Sequence, residues 1–527
     1  MQQPELPLGS RADRTRRSVA WALFGLLTAV YLLTGKGFSE ILDAEGYYLI
    51  TRALVEDHQV GVVPELSSAV LRGDEPTRNG RAFLHFGIGY PIFQVPFYLV
   101  GRTVGEVVTG AVPRLRPYTR FFPRAAVSVA PPLITALTAV ALYYWLLQLG
   151  CSLQWSTAGG LLFGLATYAW PYAKIGFYEP FLALCQTLSL FWAMVWGARR
   201  QARWLLFSGF AAAWGVAAKP SLILLVPVLA GYIVALGWEG SGRLGRLVQA
   251  ALATVGGMLP WVLVMMWYNA ERTGAVTNPG YNPGNYMPTR DVSSFLQALY
   301  GNAFSPGRAF GLYSPVCVLF VLGLPWFWRH ARSELVVCCS LIAINYVFFA
   351  LRGNWATMRP WGPRYLESLT PLFVLLAVPG MMQWWPRVWA RRAMQGLIAV
   401  SVAVQLLAIA VPYGTWLDRV KEETGSSFSS VFNWRYSPLW GQIVLIRNIQ
   451  LTPIQPDARE LTDGQPSEAF KSALRQSPDF WFAYAYRLGL PMAPVVAGMI
   501  LLAVLAIAFA LRLRALLRAP QGAFNPA

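Results

Sequence analysis

Unbroken apolar runs, rather than alternating or amphipathic ones, set the rhythm of this chain. One covers residues 19–33. After a polar stretch from about 38 to 85, others follow at 125–148, 155–173, 181–197, 204–218, 220–237, 247–268, 311–328, 334–350, 366–383, 393–412 and 491–511. A helix needs about 20 apolar residues to cross a bilayer core, so the pattern predicts about twelve transmembrane helices. The expected fold class is an all-α polytopic integral membrane protein. The stretch 86–108 is also apolar, but Pro91, Pro96, Arg102 and Glu106 interrupt it. It is placed as an interfacial helix in the first outer loop.

Arginine placement orients the chain. Arg11, Arg14, Arg16 and Arg17 precede the first run, which is longer than a signal-peptide core and has no small-residue cleavage site. With 86–108 not spanning, the clusters Arg199/Arg200/Arg203, Arg243/Arg246, Arg329/Arg332, Arg387/Arg391/Arg392 and Arg512/Arg514/Arg518 all fall on the cytoplasmic side. Both termini are then cytoplasmic, in a plasma (inner) membrane. The outer face collects 38–123, the turn 172–180, the loop 269–310, and the segments 351–365 and 413–490. The expected organisation is a transmembrane catalytic module over 1–412, with outer loops 38–123 and 269–310. A short outer-face segment, 413–490, and a last helix with a cytoplasmic tail, 491–527, complete it. Arg114, Arg116, Arg120 and Arg124 lie on the outer side, where lipid headgroups can receive them.

Composition narrows the class. Hydrophobic residues make up 55% of the 527 and charged residues 13%, with a mean hydropathy of +0.43. Charged residues are about a quarter of an ordinary soluble domain, so a soluble enzyme is excluded. The net charge of +18 is accounted for by arginine anchors at an anionic lipid surface and implies no nucleic-acid partner. Cys151, Cys185, Cys317, Cys338 and Cys339 fall in apolar runs or at a cytoplasmic turn, with neither a disulfide framework nor metal-ligand spacing. No P-loop, HExxH, GxSxG or dinucleotide fingerprint occurs. Chemistry here must therefore draw on an already activated substrate.

Several polar residues sit where the outer ends of spans converge. Asp43 and Glu45, in Asp43-Ala44-Glu45-Gly46-Tyr47-Tyr48, follow the first span. Two carboxylates at that spacing can address one ligand, or Asp43 can cap a helix with Glu45 in its first turn. Glu179 stands between two strongly apolar runs, where a carboxylate is costly unless it faces a polar cavity or pairs with Lys174. Lys219, before Pro220, can neutralise a phosphate or anchor the interface. Arg308, in a turn-rich entry to a span, and Arg364, in the first turn after Pro363, are placed to meet an anion. His85 is a weaker candidate beside an aromatic run.

The motifs DAEGYY (43–48), KIGFYEP (174–180), AAKP (217–220), SPGRAFGLYSP (305–315) and WGPRYL (361–366) resemble the GT-C superfamily of membrane glycosyltransferases. The likeness is greatest to the phospholipid-carrier branch related to protein O-mannosyltransferases and the lipid A aminoarabinose transferase, and extends to about residue 450. Glu179 stands where many members show Asp, and DAE where some show an Asp-Glu pair. The resemblance implies a polyprenyl-phosphate-linked sugar donor bound in an outer cavity, transferred with inversion to an acceptor hydroxyl on a glycan, lipid or protein. Asp43 would be the base, with Glu45 and Glu179 positioning the acceptor or stabilising the sugar cation. Lys174, Lys219, Arg308 and Arg364 would hold the leaving phosphate, and His85, Tyr178 and Tyr365 would line the substrate site. No cofactor is certain, and the motif departures leave a divalent cation open. The competing class is a multi-span transporter or lipid-carrier flippase. It is disfavoured because the acids sit at span ends rather than mid-membrane and no matching halves occur.

Overall fold

The computed structural model describes residues 11–38, 41–63, 77–78, 80–238, 243–280, 291–454, 472 and 474–518. Parts of the segments assigned to the outer face, 64–76, 281–290 and 455–471, lie outside the described residues, as do 1–10 and 519–527.

The protein is an all-α, multi-pass membrane bundle. Among the described residues nine helices are long and apolar enough to cross a membrane: Ala12–Leu33, Phe121–Gln148, Glu179–Arg199, Pro220–Gly237, Arg243–Thr273, Arg332–Ala350, Arg364–Trp384, Val388–Ala410 and Met492–Arg518. The expected count of about twelve is therefore not met by length. Residues 155–173 divide into Leu153–Ala166 and Ala169–Ala173, and 204–218 forms the short helix Arg203–Ala218. The run 311–328 breaks into Phe310–Tyr313, Pro315–Leu319 and Phe320–His330. The cause of that last break is Pro315, which drives Ser314 out of helical geometry (φ −141°, ψ 69°). Unbroken hydropathy reports burial in lipid or protein and does not register such interruptions.

Where helices must approach closely, glycines let backbones touch. A Cβ on Gly323 would lie 1.7 Å from the Leu376 carbonyl oxygen, and one on Gly257 would lie 2.0 Å from that of Leu206. These positions lock Phe320–His330 onto Thr370–Trp384 and Arg203–Ala218 onto Arg243–Thr273. The segment from Arg364 to Trp384 is the axis of the bundle, with 89% of its most apolar window buried, whereas the last helix, at 6%, lies outermost. Arg364 thus stands at the head of the central helix.

Residues 89–111 form one continuous helix, Gly89–Ala111. It buries Gly101 and Gly105 against Phe121–Val127 and exposes Leu99, Val100, Val104 and Val107. A short hairpin, Thr77–Arg78 with Arg81–Ala82, precedes it. The 413–490 segment supplies the helices Gly414–Thr424, Pro438–Arg447 and Trp481–Arg487, which dock on the same end of the bundle as Arg364. The docking bonds run from Asp479 N to Ala410 O (2.9 Å), Trp481 N to Gly35 O (2.9 Å) and Gly307 N to Val431 O (3.0 Å).

Candidate active site

Three chain segments distant in sequence meet at the head of the central helix. The first is the helix Leu42–Arg52, which starts where the chain leaves the first span. Its N-cap is Ile41, so Asp43 is not a cap; it lies in the first turn and points its carboxylate inward. The second is the turn Lys174–Tyr178, which leads into the helix Glu179–Arg199, whose first turn contains Pro180. The third is Trp361-Gly362-Pro363-Arg364. Gly362 adopts φ +67°, a conformation that suits only glycine there, and turns the chain into the 3₁₀ segment Arg364–Leu369.

Arg364 joins the three. Its Nη2 donates to Asp43 Oδ2 at 2.7 Å and its Nε donates to Glu179 Oε1. The guanidinium lies over the Phe177 ring, 3.9 Å from the centroid, a cation–π contact that holds its plane. Lys219, half-buried between Arg203–Ala218 and Pro220–Leu224, places Nζ 5.1 Å from the Tyr178 ring centre. Tyr47 packs edge-on to Tyr178 with centroids 5.7 Å apart. Tyr365 stacks on Phe349 at 4.5 Å, with the Arg352 guanidinium 4.8 Å from its ring centre. Tyr178, Glu179, Leu182, Ser221, Phe349 and Tyr365 line a small internal cavity. Glu179 Oε2 is buried and accepts no hydrogen bond among the described residues.

The electrostatics follow from this packing. Burial pushes the Asp43 carboxyl up, but Arg364 beside it, with Lys219 and His85 as further positive neighbours, outweighs burial and holds it below the usual carboxylate range. Burial pulls the Lys219 ammonium down to about 8; Arg364 and Arg352 push the same way, while Asp43 and Glu179 oppose them.

Three sequence expectations need correction. Glu45 does not share a target with Asp43: residues two apart on a helix diverge by about 200°. Glu45 instead pairs with Arg124, whose guanidinium sits 4.4 Å from the Tyr48 ring centre. Lys174 does not pair with Glu179. Its Nζ reaches Asp479 Oδ2 at 2.9 Å and donates to the carbonyls of Ile409 (2.9 Å) and Asp479 (2.6 Å). Arg308 is no phosphate ligand either. Fully buried, it donates to the carbonyls of Pro360 (2.7 Å), Gly362 (2.9 Å), Thr357 (2.9 Å) and Met358 (2.8 Å), bracing the loop that carries Arg364. The His85 ring lies tilted against Phe86, centroids 4.3 Å apart, and His85 is an electrostatic neighbour of Asp43.

Two acids escaped the sequence reading. Asp479 binds Lys36 (3.2 Å) and Lys174 (2.9 Å), and accepts from the Tyr484 hydroxyl (2.8 Å). A charge count on the outer face, where lysines gather at span ends, could have asked for such a partner. Glu367 is fully buried, and neither of its oxygens has a hydrogen-bond partner among the described residues. Its spacing from Arg364, one 3₁₀ turn, was readable but carried no signal on its own. Among the described residues no three His, Cys, Asp or Glu side chains gather as a metal-binding set.

The fold and site define a class: a polytopic helical membrane protein with an acid–arginine–acid centre at one end of its bundle. The structure is similar to ArnT from Cupriavidus metallidurans in the apo state, with 14% identity and a TM-score of 0.46 over 94% of this chain and 75% of that one. The same protein bound to undecaprenyl phosphate gives 14% and 0.48 over 95% and 89%. The apo oligosaccharyltransferase of Archaeoglobus fulgidus gives 10% and 0.45 over 80% of this chain and 60% of that one. No family model and no curated protein matches the sequence.

Proposed function

We propose that the protein is an inverting membrane glycosyltransferase of the GT-C type. It moves a sugar from a polyprenyl-phosphate-linked donor to an acceptor hydroxyl at the non-cytoplasmic face, with both termini in the cytoplasm. The observation that carries this reading is Arg364, held between Asp43 and Glu179 at the head of the central helix with Lys219 close by. A buried guanidinium with a second cation near it suits a phosphate that gains charge as it leaves, and adjacent carboxylates suit a hydroxyl nucleophile and an oxocarbenium-like sugar.

The acceptor oxygen attacks the anomeric carbon while the bond from that carbon to the carrier phosphate oxygen breaks on the opposite face. The hydroxyl proton passes to Asp43, and the electron pair of the broken bond stays on the phosphate, facing Arg364 and Lys219. Glu179 stabilises positive charge developing on the sugar ring. Tyr178, Tyr365 and the nearby cavity shape the sugar's surroundings. Arg308 and Lys174 act at one remove, by bracing the loops that present Arg364 and Glu179.

The test is native mass spectrometry of the purified protein with polyprenyl monophosphates, bare and carrying different single sugars. Selective retention of one sugar-bearing carrier, reduced at least tenfold in Arg364→Ala and also in Lys219→Met, is expected. If no polyprenyl phosphate is retained, the donor site is wrong and a transporter becomes the leading reading.

A further inference from the structure

The guanidinium best placed for a leaving phosphate is already engaged by two of the protein's own carboxylates. Arg364 gives Nη2 to Asp43 and Nε to Glu179, two acids on different helices, and its side chain is only 10% exposed. Its third nitrogen, Nη1, makes no hydrogen bond among the described residues. The Phe177 ring beneath it fixes the plane of the group but does not oppose rotation within that plane. An arginine in this setting can exchange one carboxylate for a phosphate oxygen, because both are planar or tetrahedral oxyanions that accept the same fork of donors.

The consequence falls on Asp43. As found, it is a poor base, because Arg364 stabilises its anion; the groups around it that bear charge or titrate are Arg364, Lys219, His85, Glu179, Tyr47 and Tyr178. Arg364 makes the only one of these contacts with both charge and a direct hydrogen bond to the carboxylate among the described residues. Moving it therefore changes Asp43 more than any other single rearrangement in the cluster. Glu179 stays bonded through Nε and keeps the arginine tethered during the exchange.

We propose that Arg364 is a substrate-operated switch: the donor phosphate draws it off Asp43, freeing that carboxylate to act as a base only when the leaving group is in place. The inference rests on the glycosyltransferase reading. Its use is economy of side reactions, since an acceptor entering before the donor meets an acid that does not take its proton.

The two ideas separate in one binding experiment on the full chain in nanodiscs. The probe is methyl farnesyl phosphate, a sugar-free phosphodiester whose own charge is constant over pH 4–7. If binding frees Asp43, the complex holds more protons than the free protein. Affinity for the probe should then fall as pH rises, by up to about tenfold per pH unit within the window bounded by the free and bound values of Asp43. Asp43→Asn should flatten that slope, and Glu179→Gln should keep it. Thermal unfolding of both variants checks that each is folded. Equal slopes in wild type and Asp43→Asn, or a slope abolished by Glu179→Gln alone, would overturn the switch with the donor site intact. Failure of the probe to bind at any pH would overturn the donor reading, and the switch with it.

Discussion

Replacing Asp479 by Asn tests the fastening of the outer segment to the site. The Asp479 side chain is 11% exposed, and its partners Lys36 and Lys174 are 10% and 4% exposed. Both ion pairs are thus largely withdrawn from water. Asparagine keeps the shape and one acceptor but leaves two buried ammonium groups facing a neutral amide. Breaking one buried pair costs about 3–5 kcal/mol. At about 1 °C per kcal/mol for a chain of this size, the melting temperature should fall by at least ~3 °C. Intrinsic fluorescence of the tryptophans in detergent reads this directly. Burial pushes the Asp479 carboxyl up, but the two lysines and Tyr484 overcome it and hold the group far below the usual carboxylate range. A depressed acid contributes stability that is present above its unfolded value near 4 and is lost only as pH falls through the folded value. The loss in Asp479→Asn should therefore be constant from pH 5 to 8 and shrink below pH 4. The triple change Lys36→Met, Lys174→Met, Asp479→Leu should recover only part, because Lys174 also satisfies the carbonyls of Ile409 and Asp479. A melting temperature for Asp479→Asn within 2 °C of wild type would mean that attraction merely offsets desolvation, and the argument fails.

Arg308→Lys should destabilise by about 2–4 kcal/mol, because one ammonium cannot reach four carbonyls and some are left buried without a donor; thermal unfolding and loss of donor retention by native mass spectrometry would register it. Gly323→Ala should cost at least about 2 kcal/mol, since its Cβ would collide with the Leu376 carbonyl, whereas Gly231→Ala, with nothing within 4 Å, should be neutral or stabilising on the same unfolding assay. Lys219 loses its proton as pH rises through about 8, so affinity for a polyprenyl phosphodiester should weaken between pH 7 and 9; Lys219→Arg, which stays charged, should remove that alkaline fall.

How far the sequence could be read depends on what kind of signal each residue leaves. The bundle was legible because lipid demands long apolar runs, and every run found in the sequence is filled by helical segments, some of them interrupted. Interruptions such as Ser314-Pro315 were visible as residues, yet hydropathy alone gave them no weight. Asp43, Glu179 and Arg364 were found because each is a charged group at the end of an apolar run, where burial forces it to have a partner. The same reasoning misplaced Lys174 and Arg308, since it identifies a charge that must be satisfied but not what satisfies it. In one case the partner is Asp479, more than three hundred residues away; in the other it is a row of main-chain carbonyls, which no sequence pattern marks. Glu45 failed for a local reason: its separation from Asp43 follows from helix geometry and could have been worked out in advance.

The grip of Arg308 has an implication for how such a site can change. Because it holds only main-chain oxygens, its bonds do not depend on the side chains of that loop, Gly362 apart, where the positive φ calls for glycine. Asn354 and Arg359 lie exposed on the same loop. Substitutions there can alter what the mouth of the site presents to an incoming molecule without moving the frame on which Arg364 is mounted. Recognition and chemistry are thereby uncoupled at this loop, so that one can drift while the other is held still.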